Sequence, residues 1–497
     1  MQRCHNINKI SEEEIIKESG LVLDYDEIAR KGSMSREEGL ISKWYGIYGS
    51  RGPGDHMARI CNPGGKLTSV QIRAIAAMSQ KYCVHGMVSF TTRQAAQLHK
   101  LQLKDLAPFL RDVKAAGLTT FHGCGDVARN VTACPWASEC KHRLFDVRPY
   151  AEQTAKHLTE SRDLDNLPRK YKATFSGCQG ACAQPYINCF NGIARTRVLP
   201  DGSRQNGFRV VIGGGMGWEP FVAQALFGFV PAEKITALAH AVGVLFRDQG
   251  DRHIRKYARL KFVVHRLGVE QCRRLALDIC AQEGLDTSDF DVAPTESIDS
   301  PVPDRPLCDT EPHDANHLRI QRIMVPKGEL SAKALLRIAE LSEMYGDKYV
   351  YSTNRQNLEL HGIEADRIPS LRHELEKLDF NTEGFFGLRD VVSCVGQTYC
   401  PLAVTHTHDL FDGIQAVVED ERYTDIREKA LVNITGCPNS CSPFYIADIG
   451  LRGMRLREEE GSVEGYQIRI GGTQQQFGVI LGEYKMKDCI QIIRTVL

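Results

Sequence analysis

The chain repeats itself at long range, so any fold for it must place two similar units together. "SFTTRQAAQLHKL" (89–101) aligns with "YSTNRQNLELHGI" (351–363) at an offset of 262. "ARNVTACPWASEC" (128–140) aligns with "LRDVVSCVGQTYC" (388–400) at 260. "TFSGCQGACAQPY" (174–186) and "NITGCPNSCSPF" (433–444) carry matching Cys-x3-Cys turns at 259, and "GFRVVIGGG" (207–215) resembles "GYQIRIGGT" (465–473). Four blocks in one order at nearly one offset mean an internal duplication, with a period far too long for a solenoid. Two domain-sized copies about a pseudo-two-fold axis are expected.

A length of 497 residues suits about three domains. Residues 286–316 are acidic, Pro-rich and poor in periodic apolar positions, which reads as a linker between the copies. Apolar spacing predicts helices over 66–80 and 329–345, and strands over 86–92, 208–212 and 466–470. Lys+Arg and Asp+Glu balance at 62 each, so net charge argues for neither nucleic acid nor an anionic membrane. No run of 18 apolar residues is present, and the first fifteen residues have no apolar core. A soluble cytoplasmic protein without a leader is expected.

Seventeen cysteines in such a chain point to metal or redox use rather than a disulfide scaffold. In the second copy, Cys394, Cys400, Cys437 and Cys441 form Cys-x5-Cys followed by Cys-x3-Cys. Four thiolates on two loops can close around one soft centre. The x5 spacing favours an iron–sulfur cubane over zinc, which prefers tighter knuckles in both pairs. Cys4, Cys61, Cys83, Cys189, Cys272, Cys280, Cys308 and Cys489 read as scattered buried thiols.

"TGCPNSC" after "CVGQTYCPLA" resembles the cluster motif of the sirohaem-containing sulfite and nitrite reductases. "MARICNPGG" (57–65), "FTTRQAAQLH" (90–99), "GCGDVARNV" (123–131), "LPRKYKATF" (167–175) and "GDRHIRKYARLKFVVHRLG" (250–268) extend the resemblance over nearly the whole chain. It implies an α+β, internally duplicated, pseudo-two-fold, three-domain fold of ferredoxin-like repeats and two sirohaem/cluster domains. The implied boundaries are an N-terminal arm (1–40), paired ferredoxin-like half-domains (41–117 and 317–381) and cluster-type domains (118–285 and 382–497).

By the same resemblance, a [4Fe–4S] cluster sits on Cys394, Cys400, Cys437 and Cys441, and Cys441 bridges it to the sirohaem iron. Arg59, Arg129, Lys170 and Lys172 would surround the substrate, with Arg93 near the sirohaem carboxylates. A buried site for small anions and a polycarboxylate needs fixed cations to offset desolvation. The implied reaction is six-electron reduction of sulfite to sulfide, with nitrite reduction to ammonia as the alternative. The chain has no flavin or nicotinamide fingerprint, since "GGGMG" (213–217) lacks G-x-G-x-x-G. A ferredoxin-like or flavoprotein donor must therefore supply electrons. A non-catalytic iron–sulfur carrier is the competing class, but a bare cubane needs no cation cage.

The first copy departs from the family pattern by also carrying Cys134, Cys140, Cys178 and Cys182 in the same spacings. The second copy supplies matching cations in Arg322, Arg355, Arg389 and Lys429, whereas Leu431 replaces the counterpart of Lys172. The expectation is two clusters, with one complete catalytic site and a second, altered site that could hold a second sirohaem.

Overall fold

The computed structural model describes residues 12–136, 138, 140, 142–293, 297–298, 318–424, 426–427, 430–459 and 461–497. Most of the acidic stretch 286–316 lies outside these residues, as do the first eleven and Lys429.

The architecture is α+β, and its centre is a pair of sheets built by exchange. One sheet runs in the order Ile47–Gly49, Asp55–Ile60, Ala96–Gln102, Met87–Phe90, then Glu329–Ser331 from the second copy. The other runs Leu318–Ile323, Leu358–Glu364, Tyr349–Ser352, then Lys66–Thr68 from the first copy. Each exchanged strand pairs antiparallel with its host, Leu67 opposite Val350 and Leu330 opposite Val88.

The chain reaches these strands through Gly65 and Gly328, at φ +81° and +69°. A Cβ on Gly65 would lie 2.6 Å from Ser352 O, and one on Gly328 would lie 2.7 Å from Phe90 O, so only glycine fits. The Gln of each Arg-Gln pair ties the crossing. Gln94 Nε2 donates to Ser352 O (3.0 Å), and Gln356 Nε2 donates to Phe90 O (3.1 Å).

Helices Ser69–Tyr82 and Ala332–Tyr345 follow the exchanged strands and pack on each other. Thr68 caps the first through Gln71 N in a capping box, and Ser331 caps the second through Ala334 N. Ile72, Ile75 and Ala76 meet Leu335, Ile338 and Leu341 in one core spanning both copies.

Each copy then adds a mixed sheet. In the first, Thr132–Ala133, Ala173–Ser176 and Phe190–Val198 are parallel, and Arg204–Ile212 and Gln224–Pro231 continue antiparallel. The second repeats this with Val392–Ser393, Val432–Thr435, Ile449–Glu458, Gly461–Ile470 and Val479–Lys485.

Residues 286–293, expected as the start of the linker, are instead held to the first-copy sheet. Phe290 packs edge-on against Phe227, Asp291 exchanges backbone bonds with Phe229, and Asp291 Oδ2 lies 2.7 Å from Arg197. The N-terminal segment forms helices Glu12–Glu18, Tyr25–Lys31 and Arg36–Ser42, which contribute Tyr25, Ile28 and Ile41 to the shared core. No helix among the described residues is long and apolar enough to cross a membrane.

Candidate active site and its symmetry mate

The two cysteine pairs of each copy converge because they leave the carboxyl ends of neighbouring parallel strands, where open sheets place their sites. Thr132–Ala133 runs into Cys134 and Ala173–Ser176 into Cys178; Val392–Ser393 runs into Cys394 and Val432–Thr435 into Cys437. Cys134 N donates to Phe175 O (2.9 Å) and Cys394 N to Ile434 O (3.1 Å), so both loops start from the same register. Both Cys-x3-Cys turns place the residue before the last cysteine in the left-handed region, Ala181 at φ +56° and Ser440 at φ +53°. That conformation is costly for a residue with a Cβ and persists where the surroundings impose it.

In the second copy the Gly436 N–H points at Cys394 Sγ (3.1 Å). The first copy reaches across to hold this set. Arg51 donates to Cys400 O (3.3 Å) and Ala403 O (3.2 Å), and Thr92 Oγ1 donates to Cys441 O (2.8 Å). Cys441 is exposed, whereas its counterpart Cys182 is half-buried.

Beside Cys441 the first copy assembles a cage of cations. Arg59 Nη1 donates to Gly123 O (2.8 Å), and its Nη2 and Nε face the Gln97 amide oxygen at 2.6 and 3.1 Å. Arg129 grips Gly123 O through Nε and Nη2 (3.1 and 2.7 Å). Arg93 donates to Asn130 O (2.6 Å), Ala173 O (2.9 Å) and Asn188 Oδ1 (2.8 Å). Lys170 and Lys172 flank Tyr171, which is fully buried and leads from the 171–129 backbone bond into the sheet.

Two further cations belong to this cage. Arg259 lies 3.6 Å from Cys189 Sγ, and Lys261 Nζ donates to Met216 O (3.0 Å) and Glu219 O. Neither stood out in the sequence beyond lying within the quoted segment 250–268; the alternation of "ARLK" was the available signal.

None of these arginines has a carboxylate as its partner. Among the described residues, none of Arg59, Arg93, Arg129, Lys170, Lys172, Arg259 and Lys261 forms an ion pair with a carboxylate. The nearby carboxylate of Asp126 faces away, to Arg169 (2.8 Å), Arg255 (2.8 Å) and Lys17 (3.8 Å).

The cost shows in the titrations. Desolvation, with repulsion from Arg169 and Arg259, pushes the Lys170 amine down to about 7. Lys172 lies well below its ordinary value through desolvation and the Arg93 charge, and burial and Arg259 push Lys261 down to about 7. Arg93 Nε and Arg259 Nε are buried with no hydrogen-bond partner. Among the described residues the cage has no carboxylate counter-charge.

The symmetry-related positions differ. Contrary to the expectation from the duplication, Arg322, Arg355 and Arg389 do not form a second open cage. Arg322 Nε pairs with Glu359 Oε1 (3.2 Å) at 3% and 1% side-chain exposure. Its guanidinium stacks 4.4 Å over Trp136, whose Nε1 donates to the same carboxylate at 2.5 Å. Arg355 Nε pairs with Asp390 Oδ2 (2.5 Å). Arg389 forks onto Glu419 (2.8 and 2.6 Å). The counterparts of Glu359 and Asp390 in the first copy are the neutral amides Gln97 and Asn130. Phe385 and Phe386 also face Arg322, filling the space.

Both copies match models of known protein domains. Residues 124–282 and 386–480 match the nitrite and sulphite reductase 4Fe-4S domain, and residues 49–116 and 312–378 match the nitrite/sulfite reductase ferredoxin-like half domain. The chain belongs to the sirohaem- and [4Fe–4S]-dependent nitrite and sulfite reductase family.

Among the relatives, a ferredoxin–nitrite reductase of Synechococcus elongatus is 31% identical, covering 92% of this chain and 88% of its own. A sulfite reductase [ferredoxin] of Mycolicibacterium paratuberculosis is 28% identical over 89% of this chain and 82% of its own. The solved structure of the Mycobacterium tuberculosis NirA protein superposes with a TM-score of 0.85 at 25% identity, covering 98% of this chain and 93% of that one. In this chain Arg59 and Arg93 lie in the first matched half-domain, Arg129, Lys170 and Lys172 in the first matched 4Fe-4S domain, and Cys441 in the second.

Proposed function

We propose that the chain reduces sulfite to sulfide by six electrons, at the cage formed by Arg59, Arg93, Arg129, Lys170 and Lys172 beside the Cys441 turn. The observation that carries this is a half-buried set of cations with no carboxylate partner, next to four thiols. Hydrogen sulfite, six electrons and six protons give the hydrogen sulfide anion and three waters. A sirohaem and a [4Fe–4S] cluster would be held at the Cys441 turn and would supply the redox chemistry of this reduction.

The chain's own residues do the rest. Cys394, Cys400, Cys437 and Cys441 would hold the cluster. Arg93 and Arg259, with unbonded Nε–H groups, suit the macrocycle carboxylates, for which planar forked donors are apt. Arg59 and Arg129, already oriented by Gly123 O, aim their remaining N–H groups at substrate oxygens. Lys170 and Lys172 donate to those oxygens and pass the protons that leave with them as water.

Nitrite is a second reading with one observation in its favour. Cys61, next to Arg59, is a neutral thiol pushed up to about 12 by burial and the neighbouring Cys124. A neutral thiol adds no cation there, and nitrite brings a single negative charge, whereas sulfite brings a second once hydrogen sulfite loses its proton.

Electrons come from an external ferredoxin-like donor, a reading supported by the donor named for the Synechococcus and Mycolicibacterium relatives. The cytoplasm is the compartment we assign, supported by the described cysteines all being free.

The test is Lys170→Met and Lys172→Met, each assayed with a chemical one-electron reductant. Loss of sulfide and ammonia production with the haem spectrum retained supports the assignment. Undiminished turnover in both variants overturns it.

A further inference from the structure

The first-copy thiols are as well assembled as those of the second copy. Cys134 and Cys182 are hydrogen-bond partners, as are Cys140 and Cys178, and Cys134 lies within electrostatic reach of both Cys140 and Cys178. The His142 N–H points at Cys140 Sγ (3.4 Å), as the Gly436 N–H does at Cys394. The turn carrying Cys182 is tied across the pseudo-two-fold by Asn354 Nδ2, which donates to Cys182 O (2.7 Å). Asn354 is the counterpart of Thr92, which does the same for Cys441. Strand register, left-handed turn residue and cross-copy tie are all duplicated.

The neighbouring cavity is not duplicated. Glu359, Asp390 and Glu419 neutralise its arginines, and Trp136, Phe385 and Phe386 fill it. A polycarboxylate macrocycle placed there would meet buried carboxylates and lose its counter-charges.

We propose that Cys134, Cys140, Cys178 and Cys182 hold a second iron–sulfur cluster, with no sirohaem beside it. This deepens the reading of the catalytic site without depending on its substrate. It makes the chain a carrier of two clusters and one sirohaem, with the first-copy cluster electronically separate from any haem.

The test is iron, acid-labile sulfide, zinc and sirohaem per chain on anaerobically purified full-length protein, together with the variant Cys140→Ala/Cys178→Ala. About nine irons and one sirohaem are expected, with about five irons and the same sirohaem in the variant. A reduced sample is expected to show an iron–sulfur EPR signal uncoupled from the haem, and the variant to lose it. The native stoichiometry decides the matter even where the variant fails to fold.

About five irons with one sirohaem in the native chain overturns the proposal and leaves the catalytic reading intact. One zinc per chain in place of the extra irons overturns it as well. About ten irons with two sirohaems overturns the exclusion of a second macrocycle. Absence of sirohaem overturns the catalytic reading instead, and the proposal then stands on about eight irons and falls on about four.

Discussion

The two halves place arginines at matching positions on matching strands and turns, yet only one half leaves their charge available. Arg59 faces the amide of Gln97, whereas Arg322 faces the carboxylate of Glu359. Arg93 bonds the backbone carbonyl of Asn130, whereas Arg355 bonds the side chain and carbonyl of Asp390. Asp126 turns its charge outward to Lys17, Arg169 and Arg255, whereas its counterpart Phe386 turns a ring inward over Arg322. A carboxylate in place of an amide, at two positions, separates a cage that needs an anion from one that contains its own. Anion binding at a duplicated site is therefore decided less by where the cations stand than by what stands opposite them.

Making the open half resemble the closed one should have the largest effect. Gln97→Glu with Asn130→Asp is expected to lower sirohaem per chain and cut turnover about 100-fold or more, judged against the loss of one charge-stabilising donor. Unchanged sirohaem content would show that the opposing residue does not control the cage.

Opening the closed half costs stability instead. Glu359→Gln leaves Arg322 charged and buried, and about 3–5 kcal/mol of stability should be lost, measured from the urea midpoint and slope. A change below about 1 kcal/mol would mean the pair is not desolvated as its exposure indicates.

The third test concerns Asp126. Burial would raise its carboxyl, but Arg169, Lys17 and Arg255 together hold it well below the usual carboxylate range. A lowered folded-state pKa gives stability that is complete above the unfolded value, near 3.9, and is lost as pH falls through the folded one. Unfolding free energy should therefore hold level down to about pH 5 and fall below about pH 4, with roughly 2 kcal/mol at stake. Asp126→Asn should remove that part of the acid dependence; an identical profile would place the acid sensitivity elsewhere.

The smallest effect belongs to the paired turn ties. Thr92→Ala and Asn354→Ala should each cost about 1 kcal/mol. The first should perturb the haem spectrum through Cys441 and the second should leave it unmoved.

Much of the plan was legible in the sequence because it lies in spacing. The offsets, the cysteine intervals and the Arg-Gln pairs are local patterns, and local patterns survive without coordinates. The partners of the second-copy arginines were not legible. Arg322 reads the same whether it meets an amide or an acid, and Glu359 pairs with it from the neighbouring strand, 37 positions away. Arg259 and Lys261 sit at and just inside the start of a helix that runs from Leu260 to Leu267, where basic residues ordinarily face water. Gln94 was read only as a companion of Arg93, although it bonds Ala133 in both directions as well as Ser352. Residues 286–293 were taken for linker on composition, since one Phe and one Asp suffice to anchor them.

The exchanged strands also govern how the protein comes into being. The first copy, emerging from the ribosome, cannot finish its sheet: the edge beside Met87–Phe90 waits for Glu329–Ser331, made some 240 residues later. Until then it offers an unpaired strand edge of the kind that recruits other chains. A nascent or truncated first half is thus a self-association hazard, and release from that hazard comes only when the second half arrives to close the sheet and lend its own edge in return.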